Sequence, residues 1–221
     1  MPGYLDIVYD EKLRPLTAYP RELCSYLVSR FKITQGAKLL DVGCGRGDFL
    51  NGFKSCGLEA FGADHDPSGA KVAPDVVVKH ADLEKGEFPF ADNTFDVVFS
   101  KSVIEHLTDP VKFISETRRV LKPGGRIIVM TPDWITQMKI YYDDYTHRQP
   151  YTVKSIKYLL EILGFQDVQT EIFYQLPVVW RYPWVKIISK CLQFVVPVTL
   201  KSKIKFIRWS VELMVLGTGV K

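Results

Sequence analysis

A chain of 221 residues, 47% apolar and 24% charged, has the length and composition of one α/β domain with a full hydrophobic core, which excludes a disordered, collagenous or coiled-coil protein. Its net charge of +4 is unevenly spread: residues 177–221 hold eight Lys/Arg and one acid, a balance of +7, which leaves −3 for everything before them. The basic character, and with it any attraction to anionic partners, belongs to the C-terminal segment.

Residues 1–35 read as a helical leader or lid, with an apolar helix near Glu22–Phe31 and with Tyr4, Tyr9 and Tyr19 placed to close over a ligand. The first fifteen residues have neither the basic nor the apolar region of a signal peptide. Lys38–Val42 is a short apolar run ending at glycines, which predicts a buried parallel strand feeding a helix at Asp48–Cys56. Glu59–Ala63 predicts a second strand, and Pro67 then stands where a helix would begin. Val76–Lys79 and Phe95–Ser100 are the third and fourth strands, the latter preceded by the turn-forming Ala91-Asp92-Asn93-Thr94. Over 109–121, Val111, Phe113, Ile114, Val120 and Leu121 fall mostly on one helix face, and Lys122-Pro123-Gly124-Gly125 stops that helix before a fifth strand, Arg126–Met130. Thr152–Leu163 predicts an amphipathic helix ended by Gly164, with Asp167–Tyr174 and Val211–Leu216 as sixth and seventh strands. Repeated strand–helix–strand units imply a mainly parallel sheet with helices on both faces, and ligands on such sheets bind at the carboxyl ends of the strands. Residues 36–176 and 207–221 are expected to form this core, with 177–206 an apolar, basic insertion between the last two strands. The longest charge-free apolar run, from Cys191 to Leu200, is too short to span a bilayer, so a cytoplasmic protein with reduced thiols is expected. Cys24, Cys44, Cys56 and Cys191 form no CxxC pair and no Cys/His cluster, so no metal site is expected.

Three motifs carry chemistry. Glycines at 43, 45 and 47, directly after Leu39-Leu40-Asp41-Val42, let the backbone turn sharply and bring exposed amides close to a ligand at a helix N-terminus. A dinucleotide fingerprint would need glycine at 43, 45 and 48; position 48 is aspartate, and Asp41 suits a cationic ligand better than an anionic one. That spacing disfavours a NAD-dependent oxidoreductase. Asp64, about twenty residues after the loop, is where a carboxylate can accept both hydroxyls of a ribose, while Asp66 before Pro67 fits a helix N-cap. In His80-Ala81-Asp82-Leu83-Glu84, Asp82 either accepts from an adenine amino group, with the Leu83 backbone against the ring, or is a solvated loop acid.

The ordered set LLDVGCGRG, FGADHD, HADLEKGEFPFADNTFDVVFS, VIEHL and VLKPGGRIIVMTPD resembles the class I S-adenosylmethionine-dependent methyltransferases, in particular the small-molecule branch similar to ubiquinone-biosynthesis enzymes. The likeness covers roughly residues 36–175. It implies a single-domain, Rossmann-like, seven-stranded α/β fold, with S-adenosylmethionine as cofactor and S-adenosylhomocysteine as product. It places Asp41, Gly43, Cys44, Gly45 and Gly47 along the methionine portion, Asp64 at the ribose with His65 beside it, Asp82 and Leu83 at the adenine, and Ser100 beneath the sulfonium. Asp144-Tyr145-Thr146-His147-Arg148, then Tyr151-Thr152 and the helix to Leu163-Gly164-Phe165, resembles methyltransferases of glycan and lipid-linked sugar pathways.

An alcohol or amine acceptor gains from a general base, typically about 10²–10⁴-fold. The candidates are His147, His106, Glu105 and the Asp143/Asp144 pair. His147 comes first because histidine titrates near neutral pH and its loop should overhang the strand ends, a purely structural role being the alternative. His106, in Glu105-His106-Leu107 after the fourth strand, reads as loop support as well as a second base candidate. Trp134, Tyr141, Tyr142 and Tyr145 are expected to wall the acceptor or pack a lid. In 180–209, Trp180, Tyr182, Trp184 and Trp209 with apolar residues and lysines suit a membrane surface or a lipid-linked substrate, the other readings being a homodimer contact or a helical cover over the pocket. The expected activity is methyl transfer to a small acceptor, an oxygen of a glycan precursor, lipid-linked sugar or secondary metabolite. An RNA methyltransferase is the alternative that the tail charge permits, but no nucleic-acid module and no N-P-P-Y-type tetrad follows the fourth strand, so nucleic acid is not an expected partner. A non-catalytic cofactor-binding scaffold is a further alternative.

Overall fold

Leu39, Leu40 and Val42 are all buried, as an apolar run covered on both faces requires, and they form β1 (Lys38–Val42). The computed structural model describes residues 15–221, so Tyr4 and Tyr9 lie outside the described residues. Helix α1 (Tyr19–Arg30) precedes β1; α2 (Asp48–Ser55), β2 (Glu59–Asp64), β3 (Val77–His80) and β4 (Phe95–Lys101) follow it. Next come α3 (Pro110–Val120), β5 (Leu121–Pro132), α4 (Trp134–Gln137), α5 (Val153–Ile162) and β6 (Gln166–Phe173). Between β6 and β7 (Met214–Val220) lie α6 (Pro177–Arg181), α7 (Val185–Val195) and α8 (Lys205–Val211).

The seven strands pair in the order β3-β2-β1-β4-β5-β7-β6, with β7 antiparallel to both of its neighbours and the remaining pairs parallel. Alternation along each strand sends side chains to opposite faces. Leu40, Val42, Val98, Ile127 and Val129 thus meet Phe113 and Ile114 of α3 and Ile156 and Leu160 of α5. Leu39, Val97, Phe99, Ile128 and Met130 meet Leu23 and Leu27 of α1 and Phe53 of α2. The strand order reverses between β1 and β4, and the crevice above that point is where the loops after β1, β2, β4 and β5 gather.

Three expected elements differ from the structure. The fifth strand is Leu121–Pro132 rather than Arg126–Met130, and it takes in the Lys122–Gly125 stretch expected only to stop the helix. Pro67 opens only a 3₁₀ turn, Pro67–Gly69, capped by the Asp66 carboxylate accepting the Ser68 amide at 3.0 Å; Pro74 follows too soon for a longer helix. The last strand is Met214–Val220 rather than Val211–Leu216, because Val211 closes α8 and the strand runs on through Gly217 and Gly219. A Cβ on Gly217 would stand 2.4 Å from Cγ2 of Ile156, so the glycine is what lets α5 lie close on β7.

An aromatic seam joins α1 to the segment between β6 and β7. The Trp180 ring stacks on Tyr26 at 4.7 Å and its indole N–H donates to the Tyr174 carbonyl at 2.7 Å. Tyr19 packs on Trp209 at 4.7 Å, and its hydroxyl donates to Gln175 Oε1. Tyr19 is therefore part of this seam and not a cover over the strand ends, and Trp180 and Trp209 face inward rather than toward a membrane. No helix among the described residues is long and apolar enough to cross a membrane.

Candidate active site

β1 ends at Val42, and the Gly43 amide donates to the Ala63 carbonyl at 2.7 Å, which pins the glycine loop to the tip of β2. The loop needs left-handed backbone, with φ of +77°, +51° and +85° at Gly43, Gly45 and Gly47. A Cβ built on Gly45 would meet nothing within 4 Å, so the loop presents open space there. The Gly45 amide donates to Asp64 Oδ2 at 2.8 Å, and Asp64 Oδ1 accepts the Asp66 amide at 3.0 Å. Each Asp64 oxygen keeps a second lone pair for a ligand. Asp41 is buried behind the loop with Oδ2 unpartnered among the described residues. Burial raises its pKa well above the usual carboxylate range, and the nearby carboxylates of Asp64 and Asp48 raise it further.

This donor set fits a cationic nucleoside. A buried carboxylate without a partner is costly, and an arriving positive charge offsets that cost. It does not fit a dinucleotide pyrophosphate: Asp48 stands in the first turn of α2, paired with Arg46 at 3.1 Å, where the phosphates would dock. Cys44 is buried in the loop, its thiol pushed up by burial and by Asp41. Ser100 Oγ donates to the Val42 carbonyl at 3.0 Å and ties the end of β4 to that of β1. His65 is exposed, and its carbonyl accepts from His80 Nδ1 at 2.8 Å.

Asp82 has partners of its own. Its carboxylate accepts the Glu84 amide at 3.2 Å and pairs with Lys85 at 3.1 Å, closing its own turn on the surface. Leu83 beside it packs on the core. The loop still belongs to the β2 tip, since the Ala81 amide donates to the Asp64 carbonyl at 2.9 Å.

Just after Val103, which lies against Gly43, Glu105 sits fully buried in the 3₁₀ turn Ile104–His106. Its Oε2 accepts the Thr131 hydroxyl at 2.9 Å, while Oε1 has no partner among the described residues. Burial pushes its pKa up to about 7, against the lowering effects of the Thr131 bond and the Lys101 charge. The Glu105 carbonyl accepts the amides of Arg148 at 2.8 Å and Gln149 at 3.1 Å, which fastens the 143–150 loop over the strand ends. That loop brings His147 to 4.8 Å from His106, centroid to centroid. His147 Nδ1 lies 2.6 Å from the Tyr141 carbonyl, and His106 Nδ1 lies 2.8 Å from Thr146 Oγ1. Burial, and then the neighbouring His147, lower the pKa of His106.

Tyr141 is the hub of the aromatic wall, with centroids 4.5 Å from His147, 5.3 Å from Trp134 and 5.4 Å from Tyr142. Tyr145 is 88% exposed and stands outside this wall, contrary to the expectation from sequence. One donor atom each of Glu105, His106 and His147 lies within 4.8 Å of the others; sequence reading named all three as candidates, but only the adjacency of Glu105 and His106 hinted that they meet. A groove of about 280 Å³ runs between Ile135, Met138 and Lys139 on one side and Gln193, Val196 and Val198 on the other. Asp143 pairs with Lys201 at 2.7 Å.

A family profile described as a methyltransferase domain matches residues 11–170. An uncharacterized protein of Methanocaldococcus jannaschii is 30% identical over 188 residues, covering 83% of this chain and 79% of its own length. A ubiquinone biosynthesis O-methyltransferase of Cereibacter sphaeroides is 32% identical over 103 residues, covering 44% of this chain; the match spans 42% of that relative's length, well under two thirds. A crystal structure of a SAM-dependent methyltransferase from Archaeoglobus fulgidus superposes with a TM-score of 0.66 at 25% identity, over 99% of this chain and 100% of that one.

Proposed function

The chain belongs to the methyltransferase domain family of class I S-adenosylmethionine-dependent enzymes, and from that premise we propose that it moves a methyl group to an oxygen of a small acceptor: a glycan precursor, a lipid-linked sugar or a secondary metabolite. The observation that carries the reading is the unpartnered, buried Oδ2 of Asp41 behind a glycine loop whose Gly45 opens onto empty space and whose amide is held by Asp64.

S-adenosylmethionine, when bound, supplies an electrophilic methyl group. Asp41 and the loop of Gly43, Cys44, Gly45 and Gly47 would flank its methionine portion, and Asp64 would hold the ribose with His65 at the rim. Asp82 and Leu83 would flank the adenine once Asp82 exchanges its surface partner Lys85, and Ser100 would form the floor. On the acceptor side, Trp134, Tyr141 and Tyr142 would exclude water, and His147 would take the acceptor's proton with His106 behind it. Alignment of this kind can supply about 7–11 kcal/mol of a barrier. The test is a titration with S-adenosylmethionine and with NAD, followed by a screen of hydroxylated acceptors that reads S-adenosylhomocysteine release. Release dependent on an acceptor supports the proposal; binding of NAD alone overturns it.

Within this reading, the acceptor class is set by α7 and its flanks. Trp184, Ile187, Phe194, Val195, Leu200 and Ile204 are exposed, and Lys186, Lys190 and Lys203 stand among them. Exposed aromatics beside lysines on an apolar helix suit the surface of an anionic bilayer, where each basic residue contributes about 1 kcal/mol. A cytoplasmic enzyme resting on a membrane in this way would meet a lipid-linked sugar, whose chain the adjoining groove could receive. Co-sedimentation with anionic liposomes that drops in a Lys190→Glu/Lys203→Glu/Phe194→Ser variant supports this; unchanged sedimentation, with a loss of dimer instead, assigns the face to self-association.

A further inference from the structure

We propose that the open edge of β6 is a docking site for an acidic, extended segment of a partner protein, which adds to the sheet as a further strand and lodges one apolar side chain in a pocket along that edge. β6 ends the strand order, and no strand among the described residues pairs on its outer side. In an antiparallel ladder alternate residues bond across to the neighbour, so the residues between those bonded to β7 turn their N–H and C=O groups outward. The positive φ of Asp167, +48°, and the register shift between Gln166 and Gln169 break the edge at its start, which leaves residues 169–173 as the regular stretch. A pocket of about 240 Å³ opens beside this stretch and touches Glu171, Ile172, Phe173 and Tyr174 in succession. Successive side chains point to opposite faces: Phe173 joins the core under α1, while Ile172 and Tyr174 join the cluster of Val179 and Val185. A pocket that touches all four therefore follows the edge of the sheet and not one of its faces.

The pocket's volume lies below the roughly 300–1,000 Å³ of small-molecule sites and suits one large side chain. Its wall is aromatic: Trp180 stacks on Tyr26 and has its centroid 5.5 Å from that of Phe173, and Trp and Tyr are the residue types that anchor binding partners. The charge at the rim selects an acid. Arg30 and Glu171 neutralise each other, while Lys186 is exposed with no ion-pair partner among the described residues, and Lys190 stands one helical turn further along α7. A main-chain ladder supplies affinity in this mode of recognition, and the pocket and its charge supply the sequence preference. A second copy of the chain fits less well. Two β6 strands paired antiparallel over 169–173 would centre on Glu171 and set it against its own copy, like charges facing each other. β5 and β7 lie between β6 and the crevice at β1 and β4, so an occupant of this edge leaves that crevice open. The docking role does not rest on the methyl-transfer reading.

The test uses the full chain, without lipid or cofactor, and an acetylated, amidated peptide that alternates glutamate with valine and phenylalanine; a version with lysine for glutamate is the comparison. We expect saturable binding of the acidic peptide below about 1 mM, as suits a transient contact, with backbone amide NMR signals of residues 169–173 shifted and alternate amides among them newly protected from hydrogen exchange. Lys186→Glu should weaken that binding about fivefold and strengthen that of the lysine peptide, while Lys203→Glu, the same charge change away from the pocket, leaves both as they were. No saturable binding, equal binding of both peptides, or shifts without protection along β6 would overturn the proposal. So would β6 signals that move with protein concentration alone, which would assign the edge to a second copy. Because S-adenosylmethionine is left out, failure here would leave the cofactor titration standing, and the reverse.

Discussion

The amide of Gly45 donates to Asp64 Oδ2 at 2.8 Å, and this bond locks the loop after β1 to the carboxylate that ends β2. The loop is thereby shaped before any ligand arrives, and the same carboxylate remains available to accept more hydrogen bonds.

Replacing Asp64 with alanine should therefore weaken S-adenosylhomocysteine binding more than it harms the fold. A hydrogen bond to a charged group contributes about 1.5–3 kcal/mol, so a Kd about ten- to a hundredfold weaker is expected by equilibrium dialysis. An unchanged Kd would remove Asp64 from the nucleoside site.

Asp41 should show the opposite balance of stability and binding. Its folded pKa is raised by burial, so the folded state holds its proton more tightly than the unfolded chain does. Stability without ligand then falls as pH rises above the unfolded carboxylate range, and the loss is greatest where Asp41 would be ionised. Asp41→Asn should melt higher than the wild type at pH 7, by about 2–4 °C for each kcal/mol recovered, with the gap closing toward pH 4. The same variant should bind S-adenosylmethionine more weakly. A variant that is less stable at pH 7 would contradict this.

His147→Ala should cut turnover about 10²–10⁴-fold while leaving cofactor affinity near the wild-type value. The ring touches Tyr141 and His106 and none of the glycine-loop residues named above, so a kcat loss without a Kd change is the signature. Full activity would take His147 out of the chemistry.

Gly217→Ala tests the fold apart from the site. The added methyl would meet Ile156 Cγ2 at 2.4 Å, and overpacking of that sort costs about 1–3 kcal/mol. A lower urea midpoint with unaltered cofactor affinity is expected. No change in midpoint would mean that α5 can shift away freely.

The glycine loop and Asp64 are legible in the sequence because short-range spacing after an apolar strand determines them, and β1 to β5 follow from the same alternation. Other features depend on tertiary context. Asp82 satisfies both a ligand role and a turn role by type, and the structure places it in the turn with Lys85. Counting aromatics cannot tell which face they take: Trp180 and Trp209 pack inward while Trp184 is exposed, and Tyr141 is buried while Tyr145 faces solvent. The meeting of Glu105 with His147 depends on a loop whose hold is backbone hydrogen bonding, which leaves no trace in residue type.

The central claim is that the crevice above the β1 and β4 tips, with Asp64 of β2 at its side, receives a positively charged sulfur nucleoside. Isothermal calorimetry of the full chain tests it most directly: one S-adenosylmethionine per chain should bind with saturable heat, and NAD should give none. Heat from NAD, or no heat from S-adenosylmethionine, would contradict it.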